Sequence, residues 1–483
     1  MFFKRSSNII FRKYDSFGYI TDNRNFGYKK KNENKNDIGD KILSESGAIF
    51  FSVLDDTPKH LDNITKKIGK FFDGIDIEII KNDAREFYLS LENDRFVVSG
   101  KTPDECKSKD IISSYKNSTQ PIQVNQAQTD SCQEKTPQDF LEEYFHGKPQ
   151  LTNIHIEITS KCDERCIHCY IPHENKTSEI NQDLFYNILK QSHEMGVLHL
   201  TLSGGEPMLH KNFLEFIAKC REYNFSVNIL SNLTLLNDDI IQEMKKNPLL
   251  GVQTSLYSMN NNVHDRITQR TGSFEETKNA ILKLIENDIT VQISCPIMIQ
   301  NKDCYNDVIE WAEEHNIYAS ADPVIIARYD NTTENLSCRL SIDDIKEFVC
   351  KRSTYNKKYL EQIKIEAESK NNITPDDPVC SVCTSSICIT ENGNVYPCAG
   401  WQGYVVGNIK KTFLNDIWEH SEKIIYLRAL RKRDFPKCIQ CPDKKFCTMC
   451  MVRNANENPF GDPLKINEYF CDIAKFYKNL LNK

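Results

Sequence analysis

The first narrowing comes from what this chain lacks. Its 483 residues contain no apolar run near the roughly 20 residues that a membrane-spanning helix needs. The N-terminus, "MFFKRSSNIIFRKYDS", has no apolar core of secretory length. These absences predict no membrane partner and a cytoplasmic location. An excess of positive charge is missing too: 61 Lys and Arg stand against 68 Asp and Glu, for a net charge of -7. There is thus no electrostatic footprint for nucleic acid. No internal repeat is present, which excludes a repeat architecture. What the chain does have is hydrophobic content, 39%, and cysteine, 19 residues. The first suffices for cores in about three ordinary domains. The second, in a reducing compartment, is no disulfide framework: clustered cysteines point to metal or cluster ligation, scattered ones to buried thiols.

The first hundred residues read as one small unit. Asn8 to Tyr14 and Phe17 to Thr21 alternate apolar and polar residues around Asp15-Ser16, which predicts a hairpin. "TPKHLDNITKKIGKFF" predicts a helix with Thr57 as N-cap, Pro58 at its first position, and Leu61, Ile64, Ile68 and Phe71 on one face. A further helix from about Asp76 to Asn93 runs into the short strand "RFVVS". Strands, helices and a final strand make a winged-helix-like domain over residues 1–100. Residues 101–150 turn polar and read as a linker. The lysines of "KKKNENKN", diluted by acidic and amide neighbours, read as a solvated segment.

From Asn153 the pattern repeats strand, helix, strand. "NIHIEIT", "HLTLSGG", "SVNILSN", "GVQTSLYS", "TVQISCPIM" and "YASADPVII" are the strand candidates. In one intervening helix Ser273 and Glu276 suit a capping box, with Phe274, Thr277, Ile281 and Leu284 as the inner stripe. Six such units predict an α/β fold, a partial (β/α)6 barrel over residues 151–335 with right-handed crossovers. Chemistry in such folds sits at the C-terminal ends of the strands. A connecting helical segment, 336–379, leads to a cysteine-rich unit, 380–483, which is poor in long periodic elements. Metal centres are expected to supply its framework.

Residues 158–172, "ITSKCDERCIHCYIP", place Cys162, Cys166 and Cys169 just past the first strand, with gaps of three and two residues. A zinc site wants four ligands in closed tetrahedral geometry, with His168 or His173 as the fourth. A four-iron four-sulfur cluster on three thiolates instead leaves one iron open for an outside ligand. This spacing, followed by Tyr170, resembles the signature of the radical S-adenosylmethionine (SAM) enzymes. "SGGEP", Ser203 to Pro207, resembles that family's glycine-rich segment. The resemblance implies that Cys162, Cys166 and Cys169 hold a catalytic cluster whose open iron binds the amino and carboxyl groups of SAM. Gly204, Gly205, Glu206 and Pro207 would meet the amino end, glycine allowing the backbone to come close to a ligand. Asn232, beside Ser231, and Ser255 stand at strand ends where the family places polar contacts to ribose and carboxylate. Arg266, in "HDRITQR", is a further candidate.

The C-terminal motifs carry a second resemblance. "CSVCTSSICITENGNVYPC" has Gly393 five positions before Cys398, and "CIQCPDKKFCTMC" has gaps of two, five and two before a distant Cys471. This is similar to the SPASM domain, which binds two auxiliary 4Fe-4S clusters, although the commoner last gap there is three. The similarity implies Cys380, Cys383, Cys398 and Cys450 for the first auxiliary cluster and Cys438, Cys441, Cys447 and Cys471 for the second, hence three clusters in all. Cys388 competes with Cys383 for one place, and three protein ligands with an open iron is the other arrangement. Paired zinc ribbons are the alternative. Cys106, Cys132, Cys220, Cys295, Cys304, Cys338, Cys350 and Cys388 remain as ordinary thiols. At the other end, "ILSESGAIFFSVLDD" with its helices looks like a PqqD-type peptide-recognition element, which would take an extended leader by strand addition. The acidic balance speaks against a nucleic-acid winged helix.

Together these resemblances imply a radical SAM enzyme acting on a ribosomally synthesised precursor peptide bound through its leader. An electron from a donor such as flavodoxin or ferredoxin would enter the first cluster, and SAM would be cleaved to methionine and a 5'-deoxyadenosyl radical that removes a substrate hydrogen. "SLYSMNNNVHD" and "RTGSFEETKNAI" are similar to sactipeptide and ranthipeptide maturases, which form thioethers between cysteine sulfur and carbon. Carbon-carbon crosslinking and α-carbon epimerisation, with Cys295 or Cys304 as hydrogen donor, are the alternatives within the class. A non-catalytic zinc-stapled binding protein is the alternative outside it.

Overall fold

The computed structural model describes residues 1–23, 40–110, 137–355, 358–370 and 373–481. The lysine-rich segment, Cys132 and most of the expected linker lie outside these. Near the N-terminus, β1 (Phe2–Arg5), β2 (Ile9–Lys13), β3 (Phe17–Asp22), β4 (Lys41–Ser44), β5 (Lys59–His60) and β6 (Val97–Gly100) form two antiparallel sheets, ordered β5-β1-β6 and β2-β3-β4. β2 and β3 are the expected hairpin, with Lys13 opposite Gly18. Four helices accompany them: α1 (Glu45–Ser52), α2 (Leu61–Ile68), α3 (Ile77–Asn93) and α4 (Pro103–Lys109).

α2 is not capped by Thr57, because Lys59 and His60 pair with β1 and their backbone groups are used there. The helix starts at Leu61 under a His60 cap and stops at Ile68. Leu61, Ile64 and Ile68 fill the core, but Phe71, past the helix end, is 58% exposed. The polar stretch after residue 100 also begins with regular structure. Thr102 caps α4, Cys106 is buried and donates to the Val98 carbonyl at 3.3 Å, and Asp110 accepts from the Ser7 N–H at 3.1 Å.

The N-terminal sheets are fastened through β2. The Phe11 N–H donates to Asn224 Oδ1 at 2.8 Å, and Asn224 Nδ2 donates to the Ile9 carbonyl at 3.0 Å. One side-chain amide thus stands in for a strand partner. Buried Arg12 donates to the carbonyls of Val197 (2.8 Å) and Asn224 (3.0 Å) and lies over the Phe225 ring. Arg221 reaches the Ser7 carbonyl at 2.8 Å and Asp56 at 2.6 Å. α5 (Pro137–Tyr144) adds Phe140 and Tyr144 against Phe17.

The barrel strands are β7 (Asn153–Thr159), β8 (His199–Gly204), β9 (Ser226–Leu230), β10 (Gly251–Ser255), β11 (Val291–Pro296) and β12 (Tyr318–Asp322), parallel and adjacent in chain order. Between them run α6 (Gln182–Glu194), α7 (Phe213–Glu222), α8 (Asp238–Lys246), α9 (Asn261–Thr268), α10 (Ser273–Glu286) and α11 (Asn306–Glu314). Ile154, Ile156, Ile158, Leu200, Leu202 and Ile229 pack outward into the core with helix residues such as Ile188 and Phe216. The alternate positions, His155, Thr201, Asn228, Gln253 and Gln292, are half-buried polar residues on the inner face. The α/β partial barrel is as the sequence pattern requires. Its first strand has an additional neighbour: β13 (Ser386–Ile389) pairs parallel with β7, and β14 (Asn394–Tyr396) and β15 (Gly407–Asn408) extend the sheet to nine strands.

The capping box on α10 is not formed. Its N-cap is Gly272, at φ 87°, and the Asp265 carboxylate accepts from the N–H groups of Gly272 (2.6 Å) and Phe274 (3.0 Å) and from the Ser273 hydroxyl (3.0 Å). A charged acceptor that takes two orphan donors outcompetes a local hydroxyl. Glu276 pairs instead with Arg270. The inner stripe of Phe274, Thr277, Ile281 and Leu284 is buried as expected.

Candidate active site

The chain leaves β7 into an irregular loop whose shape comes from anchored backbone donors. Ser160 N–H bonds the Ser178 carbonyl at 2.9 Å, Arg165 N–H the Thr268 carbonyl at 3.0 Å, and Ile167 N–H the Ile267 carbonyl at 3.0 Å. The last two pin the loop to the end of α9. Cys162, Cys166 and Cys169 lie half-buried on it. Burial pushes the Cys162 thiol up to about 12 and the Cys166 thiol well above its ordinary value. Glu164, itself raised to about 7 by burial, accepts from Cys166 Sγ at 3.2 Å. Half-buried Lys176 stands among the three sulfurs: burial opposes its charge, but Cys169, Cys162 and Cys166 together raise its pKa. Its ammonium also donates to the Glu164 carbonyl at 3.2 Å.

This donor set fits an iron-sulfur cluster. Thiols so hard to ionise become thiolates when a metal binds them, and Lys176 supplies a cation beside the resulting anionic group. His168 turns Nε2 to the Tyr257 hydroxyl at 3.3 Å.

The glycine segment crosses the root of this loop. The Gly205 N–H donates to the Thr159 carbonyl at 2.7 Å and the Glu206 N–H to the Lys161 carbonyl at 2.8 Å. A Cβ on Gly205 would lie 2.2 Å from the Lys161 carbonyl oxygen, and one on Gly204, at φ 139°, 1.9 Å from that of Thr159. Close approach of two backbones therefore requires both glycines, whatever ligand also comes near. Those N–H groups are committed, so what the segment can offer a ligand is carbonyl oxygen, the acceptor that an ammonium needs. Pro207 opens a short turn after it in which Pro207 and Met208 are buried.

Glu206 is fully buried and turned inward. Its carboxylate accepts from the Ser231 hydroxyl (2.8 Å), the Asn232 N–H (2.7 Å) and the Met208 N–H (2.9 Å), and burial pushes it up to about 8. It joins the ends of β8 and β9. Asn232 carries the link onward: its Nδ2 donates to Asp163 Oδ1 at 2.8 Å, while the Thr234 hydroxyl donates to Asp163 Oδ2 at 2.7 Å. Ser255 is half-buried at the end of β10 and bonds the Tyr257 side chain. Arg266 is exposed on α9.

Sequence reasoning missed three participants. Arg270, not Arg266, approaches the cysteine loop, with Nε 3.5 Å from Asp163 Oδ2. Glu157, buried on the inner face of β7, accepts from the Tyr170 hydroxyl at 2.9 Å and from Gln402, and burial raises it to about 7. The polar residues alternating inside "NIHIEIT" were its signal, since a strand covered by apolar groups on both faces reads as a continuous apolar run. Lys176 had no signal beyond lying seven residues after Cys169.

In the C-terminal region, Cys380, Cys383 and Cys398 lie within electrostatic reach of one another, and Cys450 within reach of Cys380 and Cys398. Cys438, Cys441, Cys447 and Cys471 line one cavity of about 450 Å³ with Lys370, Lys432 and Lys444 at its walls. Asp377 and Asp443 share those walls, with Asp377 paired to Lys432 at 3.3 Å; four thiols on one cavity suit a metal cluster. Cys388 is fully buried on β13 opposite His155, beside Glu157 and Cys398. Of the scattered thiols, Cys220, Cys295 and Cys338 are buried, Cys304 is half-buried 3.2 Å from the Ser258 hydroxyl, and Cys350 is exposed.

Comparison with known proteins agrees with this geometry. The radical SAM superfamily matches residues 156–312, and the SPASM iron-sulfur cluster-binding domain matches residues 380–442. The chain is 23% identical over 319 residues to the AdoMet-dependent heme synthase of Methanosarcina barkeri, covering 62% of this chain and 90% of that protein. It is 24% identical over 321 residues to the antilisterial bacteriocin subtilosin biosynthesis protein AlbA of Bacillus subtilis, covering 63% and 68%. Its fold is similar to that of Streptococcus suis SuiB bound to the precursor peptide SuiA, with a TM-score of 0.58 at 15% identity, covering 97% of this chain and 100% of that one. No helix among the described residues is long and apolar enough to cross a membrane.

Proposed function

We propose, from the premise that this chain is a radical SAM enzyme with a SPASM domain, that it modifies a ribosomally synthesised precursor peptide by installing thioethers between a cysteine sulfur and a carbon of another residue. The observation that carries the peptide reading is the sheet β2-β3-β4. Asn224 closes its β2 edge, whereas β4 has no strand partner on its outer side among the described residues. An extended leader can add there as a further strand, in the manner of a PqqD-type element. The fold shared with SuiB, whose structure holds a precursor peptide, and the similarity to a bacteriocin biosynthesis protein support the same reading.

When bound, a cluster on Cys162, Cys166 and Cys169 supplies one-electron reductive cleavage of SAM. The chain's own groups do the rest. Lys176 offsets the negative charge of the thiolates, and Glu206, Ser231 and Asn232 hold the strand ends so that the Gly204 and Gly205 carbonyls can meet the cofactor's ammonium. Ser255, with Gln253 and Ser294 on the same inner face, provides a polar wall for ribose or substrate. Cys380, Cys383, Cys398 and Cys450, and separately Cys438, Cys441, Cys447 and Cys471, would hold two auxiliary clusters, for three in total, and a flavodoxin or ferredoxin would be the electron donor to the cluster on Cys162, Cys166 and Cys169.

The test is mass spectrometry of a small cysteine-containing peptide encoded beside the gene, after anaerobic co-expression. Loss of two hydrogens per modification, with the affected cysteine no longer alkylatable, is the expected result. An unchanged mass with deuterium gained from solvent would mean epimerisation instead.

A further inference from the structure

The leader site and the chemistry stand on opposite rims of the barrel. Among the described residues, the polar contacts that fasten the N-terminal sheets to the barrel involve residues just before β8 and β9 or within α7: Val197, Asn224, Phe225 and Arg221; α5 adds ring contacts to Phe17. Leu198, also at that rim, packs against Ile10, Phe17 and Tyr19. The cysteine loop, the glycine segment and Asn232 all lie at the other rim, past the C-terminal ends of β7, β8 and β9. β8 has six residues between the two rims, which is about 20 Å of strand at roughly 3.3 Å per residue. The attachment is rigid in kind: a buried arginine spanning two carbonyls and a side-chain amide paired with a strand edge do not slide.

We infer that this enzyme selects its reacting residue by distance from the leader, so that positions closer than about six residues to the bound segment are out of reach. An extended chain covers at most about 3.5 Å per residue, so at least about six residues are needed to climb the barrel wall. Longer spacers reach easily but dilute the reacting end, whose effective concentration falls roughly as the −3/2 power of length. Doubling a spacer from about 12 to about 24 residues should therefore cost about threefold in rate. The inference rests on the leader reading of β4 above.

The experiment uses the full-length enzyme and the precursor encoded beside its gene, with the segment between leader and first modified residue replaced by flexible Gly-Ser spacers of about 4, 8, 12 and 24 residues. Leader affinity, by fluorescence anisotropy, is measured beside the initial rate of modification. The expected result is constant affinity, at least a tenfold loss of rate at the shortest spacer, and a shallow decline at the longest. Equal rates at the shortest and middle spacers with unchanged affinity would overturn the spacing rule alone. Failure of every peptide to bind would overturn the leader reading together with it.

Discussion

Replacing Gly205 by alanine tests the crossing of the glycine segment over the cysteine loop. The new Cβ would lie 2.2 Å from the Lys161 carbonyl oxygen and 2.5 Å from that of Ser160, where an ordinary carbon-oxygen contact is about 3.3 Å. The loop root must therefore retreat by about 1 Å, the difference between those distances. Both partners are backbone, so no side chain can swing aside. The retreat stretches the bonds from Gly205 N–H to Thr159 (2.7 Å) and from Glu206 N–H to Lys161 (2.8 Å). Overpacking costs about 1–3 kcal/mol and each weakened bond about 1 kcal/mol, or about 3–5 kcal/mol together. In a domain of this size that lowers the melting temperature by about 10 °C. Because Cys162 follows Lys161 directly, its sulfur moves with the loop, and a shift of about 1 Å costs on the order of 100-fold in rate. Differential scanning fluorimetry of the metal-free protein reads the first effect, and chromatography of 5'-deoxyadenosine from anaerobically reconstituted, dithionite-reduced enzyme reads the second. A variant that melts within about 2 °C of the parent, equivalent to less than about 1 kcal/mol, and cleaves SAM normally would refute the reasoning.

The other expectations concern single groups. Cys166→Ala should abolish SAM cleavage while peptide affinity, measured by anisotropy, stays unchanged; loss of both would mean that the loop's metal is needed for folding. Glu206→Gln turns an amide NH2 toward a buried donor that now meets a carboxyl oxygen, costing about 1–3 kcal/mol in urea denaturation; an unchanged midpoint would show that the three bonds to Glu206 are dispensable. The ordinary value for glutamate is 4.5, and burial raises Glu206 to about 8 and Glu157 to about 7. The native state thus keeps protons that the unfolded chain releases, so these two groups lower stability as pH rises from 4.5 through 7 to 8. Melting curves across that window should decline, and less steeply in Glu206→Gln. Cys471→Ser should remove about a third of the bound iron and sulfide if three equal clusters are present, without loss of SAM cleavage; parent-level iron would exclude Cys471 as a ligand.

Repeating local patterns were legible in the sequence, and long-range substitutions of one partner for another were not. The six barrel strands announce themselves because Ile154, Ile156 and Ile158, like Leu200 and Leu202, alternate with polar residues, and period two survives any tertiary arrangement. The three cysteines past β7 are equally plain, since their spacing is contained within one loop. The capping of α10 is not legible locally because the winning acceptor, Asp265, lies on α9, outside the window in which Ser273 and Glu276 look sufficient. Likewise Thr57 is a good cap locally, but β1 recruits Lys59 and His60 across the chain. Glu206 carries a motif position by sequence, whereas its three donors come from Met208, Ser231 and Asn232, two of them on a different strand end. Arg266 and Arg270 differ by one helical turn, and only the bend after Thr268, where Gln269 adopts φ 57°, decides which one meets Asp163.

The pairing of β13 with β7 bears on how such enzymes can be recombined. Ser386 to Ile389 run in register with Asn153 to Ile156, and Thr152 and Asn153 both donate to the Ser385 carbonyl at 3.0 Å. The strand that delivers the cysteine loop therefore has one of its two edges supplied from more than two hundred residues downstream. A chimera that grafts the C-terminal region of another protein at residue 380 inherits the task of matching that edge, and a mismatch would be felt first at the root of the cysteine loop. Limited proteolysis between the two regions should leave the fragments associated, held by the shared sheet, and truncation before Ser386 should expose a bare strand edge that invites pairing with a second chain.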